Sequence, residues 1–486
     1  MLTTTTNTAP TKDLALEVDP PNERAFGPAG RRATQKTAWQ WIRAAAFRVT
    51  FVYVLLYAVL ATGLYLWMTP LAKYYSEFAK AQIRATSAIG EALLGQEVPV
   101  ETPRSGSSDR LVNYVGISLI AATSLVLGLA WTLISRSRFA QRPVAPKEYG
   151  LTARDLWGLI LRYFVATNML LFGAVKLIPA QFPEPPLDWL IQPFGEISPM
   201  RLLWAFMGSS PAYAAFAGIA EVAAGLFLLN RRTSTLGGLL SLGVMANIVV
   251  INYSYDICMK ISSAHLFFFA LLILAPEIRR LADIFLWNRP VGPKFIKPYF
   301  SSWRLRTAGT ALKLLFVCAF LLKLASISSN QYEFLASPKL PLHGLYEVAS
   351  FKVDGEERPP LLTDTTRWHR LVINRWSQGH LQRTDGQASF FRQLKVDEDE
   401  GTISASALWL ENPVTWNYRE LEPDRLEITG HLLEGGLPFT AELRRRDPDE
   451  YLIRNRAFHW VNETPFNTFS SVPLLSSMSP PAESGG

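Results

Sequence analysis

Apolar residues run through this chain in two rhythms. Up to about residue 330 they form long unbroken runs, and beyond it they alternate at every second position. A bilayer core of about 30 Å takes about 20 apolar residues at 1.5 Å per helical residue. Seven stretches meet that length: 44–68, 111–134, 157–178, 211–229, 235–253, 258–275 and 307–326. The last is interrupted by Lys313 and Lys323, whose ammonium groups must snorkel or face protein. The first is too long for the apolar part of a cleaved signal and is expected to remain as an anchor. Between the first two spans, 72–94 reads as an amphipathic helix that Pro99, Pro103 and a Ser/Gly cluster bring to an end.

From Gln331 the period-two pattern predicts strands at 345–352, 366–377, 388–396, 402–409, 415–420, 425–432, 437–445 and 450–455. Asp354-Gly355, Asp385-Gly386 and Glu434-Gly435-Gly436 are hairpin turn signals between them. Short strands joined by consecutive hairpins predict an antiparallel barrel or sandwich, with an up-and-down barrel resembling a lipocalin-type calyx as the natural outcome. The fold class is thus an α-helical membrane bundle of about seven spans plus an exported antiparallel β-barrel-like domain. Its expected parts are a polar cytoplasmic tail (1–43), a two-span hairpin (44–134) and a four-helix bundle (155–285). A cytoplasmic loop with the seventh span (286–330), a periplasmic β-domain (331–471) and a disordered tail (472–486) follow.

Charge sets the orientation. With a cytoplasmic N-terminus, the inside segments 1–44, 135–156, 230–234 and 276–306 hold 20 Lys/Arg. The outside loops 69–110, 179–210 and 254–257 hold 6. By the positive-inside rule the N-terminus is cytoplasmic, and seven spans then put the C-terminal third in the periplasm of a bacterial inner membrane. Residues 1–330 carry a net +14 and residues 331–486 a net −7, so the overall +7 describes neither half.

Composition closes off several classes. Charged residues make up 18% of the chain against the roughly 25% of a soluble domain. Two cysteines exclude a disulfide framework and a cysteine-based zinc or iron–sulfur site. No phosphate loop, HExxH or GxSxG is present, and the chain reads neither as a soluble enzyme nor as a nucleic-acid binder. Five of the six histidines (His343, His369, His380, His431 and His459) fall in the β-domain without the spacing that pairs two imidazoles on one element, so no metal is expected. The segment 458–467 interleaves Phe458, Trp460 and Phe466 with His459, Asn462 and Asn467, and reads as a closing strand and hydrophobic staple of the barrel or as a plug or lip that docks on the bundle or on a partner.

Ionisable groups inside a bilayer are costly, so they face one another or a cavity. Arg162, Asn168 and Lys176 lie within an arc of about 120° on the third span at 100° per residue. Glu221 stands near the centre of the fourth, Asn247 and Asn252 on the fifth, and Lys260 and His265 on the sixth. Short turns make these helices antiparallel neighbours, which predicts one pocket in the outer half of the bundle. It is positive apart from Glu221, suited to an anion or to a quinol that loses a proton. In the alternative reading Glu221 simply pairs with Arg162 or Lys176 and holds the helices together, and His265 is a packing residue. No second intramembrane histidine exists to complete a bis-histidine haem.

Residues 155–285 resemble the DoxX family of small four-helix membrane proteins. The resemblance is carried by Leu161-Arg162-Tyr163, by Gly173-Ala174-Val175-Lys176, by Gly218-Ile219-Ala220-Glu221-Val222-Ala223-Ala224-Gly225, by Arg231-Arg232 and by Gly237-Gly238. It implies a bacterial inner-membrane protein tied to redox chemistry, since the family includes a subunit of thiosulfate:quinone oxidoreductase. The bundle is also distantly similar to the membrane part of vitamin K-dependent carboxylases, where a lysine deprotonates a quinol, a part that would fall to Lys176. The expected function is quinone-linked redox work, alone or as a subunit of an oxidoreductase complex. Lys176, Glu221 and His265 would be its catalytic residues, and Arg162, Asn168, Asn247, Asn252 and Lys260 would bind substrate. A quinone is the expected cofactor, with no resident metal or haem. Membrane lipids and a periplasmic or membrane redox partner are the expected company, with no nucleic acid. The rival expectations are a non-enzymatic membrane anchor whose β-domain binds a lipid or protein, and a small-anion transporter.

Overall fold

The computed structural model describes residues 38–61, 72–100, 107–136, 152–294, 296, 298–433 and 436–455. The segment 458–467, His459, the turn residues Glu434 and Gly435, the tail 472–486 and most of the tail 1–43 lie outside them. Among the described residues, seven helices are long and apolar enough to cross a membrane: Ala38–Ala61, Leu111–Ser135, Ala153–Leu177, Pro211–Leu229, Ser234–Ser254, Lys260–Phe285 and Trp303–Ala336. They match the seven predicted spans. The chain divides into two compact units, one of residues 1–52 with 124–142 and one of residues 53–123 with 143–486.

In the first unit the start of α1 (Ala38–Leu56) and the end of α3 (Leu111–Arg136) pack through aromatic rings. Phe51 meets Trp131 edge-on at 5.8 Å, and the Arg48 guanidinium lies 5.5 Å above the Trp131 ring.

The second unit holds the rest. α1 runs on into a π-helical turn, Tyr57–Ala61, and α2 (Ala72–Leu94) is the predicted amphipathic helix. α4 (Ala153–Leu177) starts on a capping box in which Thr152 and Asp155 satisfy each other's backbone N–H groups. Short α5 (Leu187–Leu190) and α6 (Pro199–Gly208) follow, then α7 (Pro211–Leu229), α8 (Ser234–Ser254), α9 (Lys260–Leu274), α10 (Ile278–Phe285) and α11 (Trp303–Ala336). α4 and α7 touch backbone to backbone: a Cβ on Gly173 would stand 2.7 Å from the Gly218 carbonyl oxygen, and one on Gly218 2.8 Å from that of Gly173. Van der Waals packing of this kind, rather than a hydrophobic drive, joins helices in lipid. The bundle core gathers Val54, Tyr57, Leu161, Phe164, Leu228 and Phe269.

The C-terminal region is an antiparallel, nearly closed barrel. Its strands are β1 (Gly344–Val353), β2 (Glu356–Glu357), β3 (Trp368–Ile373), β4 (Gly379–Arg383), β5 (Ala388–Phe391), β6 (Gln393–Asp397), β7 (Thr402–Ser406), β8 (Val414–Glu422), β9 (Arg425–His431) and β10 (Pro438–Arg446). The pairing order is β5-β4-β3-β1-β10-β9-β8-β7-β6, with β2 on β1, so the chain winds up and down and closes through β1 against β10. β5 and β6 are two halves of one strand bent at Arg392. The Arg392 N–H donates to the Ser406 carbonyl and the Leu394 N–H to that of Ser377, each at 2.8 Å, which bridges the two edges. Asp354 and Gly355 both have positive φ, as a two-residue hairpin turn requires.

Two expectations change here. The predicted strand 450–455 is instead the end of a 3-10 turn followed by a helical turn, α12 (Leu452–Asn455), because Pro448 with the Asp447 cap starts a tight turn at the end of β10. The interior is also no calyx. Trp368 and Trp416 meet edge-on at 5.0 Å and Phe439 lies 4.6 Å from Trp368, so side chains fill an eight-stranded girth that is just wide enough for them.

The barrel docks on the chain between α4 and α6. Leu187 and Ile191 are buried against Leu345 and Val372. The Asn374 amide donates to Asp188 at 2.8 Å, and Arg454 pairs with Glu184 at 2.5 Å.

Candidate functional site

The eight predicted polar residues do not meet in one pocket. They fall into separate centres, each with its own partners.

Lys176 and Glu221 form the first. The Lys176 ammonium stands 2.8 Å from one Glu221 oxygen and 3.0 Å from the other. The Glu221 side chain is 1% exposed and that of Lys176 10%. Gly173 and Gly218 lie three residues before each of them, so the close helix crossing places both charges on the same α4–α7 seam. Of the two partners weighed for Glu221, the structure selects Lys176. Arg162 lies 14 residues from Lys176 on α4, about 21 Å at 1.5 Å per residue. Its guanidinium sits 5.8 Å from the Tyr163 ring.

His265 forms the second centre. Its Nδ1 lies 2.7 Å from the Ile261 carbonyl oxygen, which can only accept, so Nδ1 carries the proton. Nε2 therefore presents its lone pair to the Tyr53 hydroxyl at 2.6 Å. Tyr57 stacks on the imidazole at 4.1 Å with the planes 8° apart, and Phe269 closes a further side edge-on at 5.9 Å. Tyr57 opens the π-helical turn, and such turns inside α-helices recur at functional sites. Tyr53 and Tyr57 were not singled out from the sequence. Their i, i+4 spacing in an apolar run was the available signal, but it reads equally as packing.

The third centre lies at the start of α9. Both Asp109 carboxylate oxygens accept from the first backbone N–H groups of that helix, Lys260 at 2.7 Å and Ile261 at 3.0 Å. The Lys260 ammonium pairs with Asp256 at 2.7 Å. Asn252 donates to Ser263 at 3.0 Å and to the Met259 carbonyl at 3.3 Å. The positive site expected around Lys260 is thus filled by the protein's own carboxylates, at a helix N-terminus where an anion is best held. Sequence pattern missed Asp109 because it is remote from α9 in the chain.

The other two predicted residues take no part. Asn168 bonds back to the Phe164 carbonyl at 2.8 Å within its own helix, and Asn247 is on an exposed face of α8 rather than in the bundle.

Seven membrane-length apolar helices with a nearly closed antiparallel barrel define a multi-pass membrane protein with a packed β-domain. The chain belongs to the family of the Uncharacterized protein YwoB of Bacillus subtilis (strain 168), with 31% identity over 133 residues, 26% of this chain and 79% of that protein. No family model and no solved structure matches the chain, and the resemblance to DoxX rests on the residue motifs given above.

Proposed function

We propose that this chain is a quinone-linked redox protein of the bacterial inner membrane, acting alone or as the membrane subunit of an oxidoreductase complex, with its β-domain in the periplasm. The observation that carries the reading is the His265 centre. A neutral imidazole with its tautomer fixed by Ile261 offers a lone pair at Nε2 inside an apolar bundle. A quinol hydroxyl that took the place of the Tyr53 hydroxyl would meet that lone pair directly and hand it a proton, with Tyr57 providing an aromatic face for the ring. The second proton and the two electrons would leave the quinol for a redox partner that serves as electron acceptor, and the quinone would be released. On this reading Lys176 and Glu221 hold α4 to α7 and are not the acid–base pair, which moves the catalytic assignment to His265.

The docking of the barrel favours a second reading, in which the helices serve as an anchor that holds the barrel at the membrane surface. Small-anion transport finds less support, because Lys260 is already neutralised by Asp256. Mass spectrometry of the protein extracted in mild detergent separates the two. A co-purifying quinone supports the first reading, and a lipid or protein partner without quinone supports the second.

A further inference from the structure

A cavity of about 370 Å³ opens where the barrel, the segment before α5 and the end of α11 come together. That volume lies within the range of small-ligand sites. Its charged wall consists of Lys339, His343, Arg375, Arg454 and Glu184, with Trp376 beside them. Arg454 is already paired with Glu184. Arg375 gives one N–H to the Leu335 carbonyl, which leaves its charge unbalanced. Among the described residues neither Arg375 nor Lys339 has a carboxylate partner. His343 spends Nδ1 on the Ile373 carbonyl at 2.8 Å, so Nε2 is its remaining polar atom. The Trp376 indole nitrogen is buried without a hydrogen-bond partner among the described residues, although its ring stacks on Phe334 at 5.6 Å and 7°. The cavity thus gathers two unbalanced cations and an unused N–H donor.

Its depth says what could reach it. α11 carries Trp303 at one end and Tyr332 and Phe334 near the other, 70%, 63% and 55% exposed. From residue 303 to 332 the helix rises about 43 Å at 1.5 Å per residue, which matches the 40–45 Å of a bilayer with its head groups. Aromatic rings gather at the two membrane–water interfaces. Leu335, in the last turn of α11, and Lys339, three residues past its end, therefore stand at the outer edge of the head groups. We propose that this cavity binds a phosphate group, supplied by an anionic phospholipid head group, with Lys339 and Arg375 as the charge partners and the Trp376 indole as a donor. The site does not depend on the quinone reading or on which face of the membrane carries the barrel.

The test titrates the full-length protein in neutral detergent with phosphatidylglycerol, phosphatidylcholine or inorganic phosphate, reading thermal stability and lipid retained in native mass spectra. Phosphatidylglycerol should be retained and stabilise the protein, and phosphatidylcholine should do neither. K339Q should weaken phosphatidylglycerol binding roughly fivefold, and K339Q with R375Q roughly thirtyfold, at the worth of one and two basic residues near an anionic surface. Lys339 is exposed, so K339Q alone decides the matter if the double variant does not fold. Stabilisation by inorganic phosphate that K339Q weakens, without retained lipid, would keep the phosphate site and make its source soluble. Equal retention of both lipids, native affinity in the variants, or no response to lipid or phosphate would overturn the site.

Discussion

The Lys176 ammonium and the Glu221 carboxylate lie 2.8 Å apart on the seam where α4 and α7 touch through Gly173 and Gly218. Removing one partner leaves a buried charge alone, at a cost of about 3–5 kcal/mol by the standard of buried pairs in soluble proteins. Lys176→Met should therefore lower the detergent melting temperature sharply. The double change Lys176→Met with Glu221→Gln should recover much of the loss and keep quinone binding. Recovered stability with quinone binding still absent would return a direct role to this pair.

The barrel interior makes a second demand. Trp416 is 1% exposed against Trp368, and Gly430 leaves the space its indole fills, since a Cβ there would stand 2.6 Å from the ring. Trp416→Ala should cost about 3–5 kcal/mol. Residues 338–455 expressed alone should give a β-type far-UV spectrum and a cooperative melt that this substitution lowers or abolishes. A helical spectrum, or an unchanged melt in the variant, would contradict the packed barrel.

Acid should loosen the barrel and its docking. Burial pushes the His380 imidazole below its ordinary range, Asp188 pulls it back and Arg201 adds to the depression. Burial also lowers His343, opposed by its bond to the Ile373 carbonyl and reinforced by Lys339, Arg375 and Arg445. Both depressed groups bind their proton more readily in the unfolded chain, so stability rises with pH in that window. It is complete above the unfolded value of about 6.5 and is lost as pH falls below it. The melting temperature of the full-length protein should fall between pH 7.5 and pH 5.5, and His343→Asn with His380→Asn should flatten that slope. A melting temperature that rises on acidification would contradict the assignment.

Topology gives a fourth prediction. The 20-to-6 bias of Lys/Arg between alternate loops predicts that the barrel lies outside the cytoplasm. A periplasm-dependent reporter fused after Ser470 should be active, and a cytoplasm-dependent one silent. The reverse result would turn the whole chain over in the membrane.

Much of the fold was legible because its signals are local. Twenty-residue apolar runs and period-two alternation report the spans and strands directly, and Asp354-Gly355 marks its own turn. The strand expected at 450–455 failed because Arg454 pairs with Glu184 and Tyr451 packs on the docking segment from a tight turn, contacts that alternation cannot reveal. The candidate site was half legible. Lys176 and Glu221 showed themselves by their cost in a membrane and by the glycines before them. The single pocket did not survive, because Asp109 and Tyr53 come from elsewhere in the chain and, with Asp256 four residues before Lys260, satisfy α9 and its Lys260 and His265 one by one. Asn247 illustrates the other limit: helical depth places a residue along the membrane normal but leaves its rotation about the helix open.

The most direct measurement is quinone binding and quinol oxidation by the purified wild-type protein, by His265→Ala and by Tyr53→Phe, each supplied with its redox partner or an artificial acceptor. With His265 as the base, His265→Ala should lose quinol oxidation by roughly 10²-fold or more, the usual share of a positioned acid–base group. Tyr53→Phe keeps the aromatic ring and frees Nε2, so it should retain quinone binding. Wild-type oxidation in His265→Ala, or a wild-type protein that neither binds nor oxidises a quinol, would contradict the account.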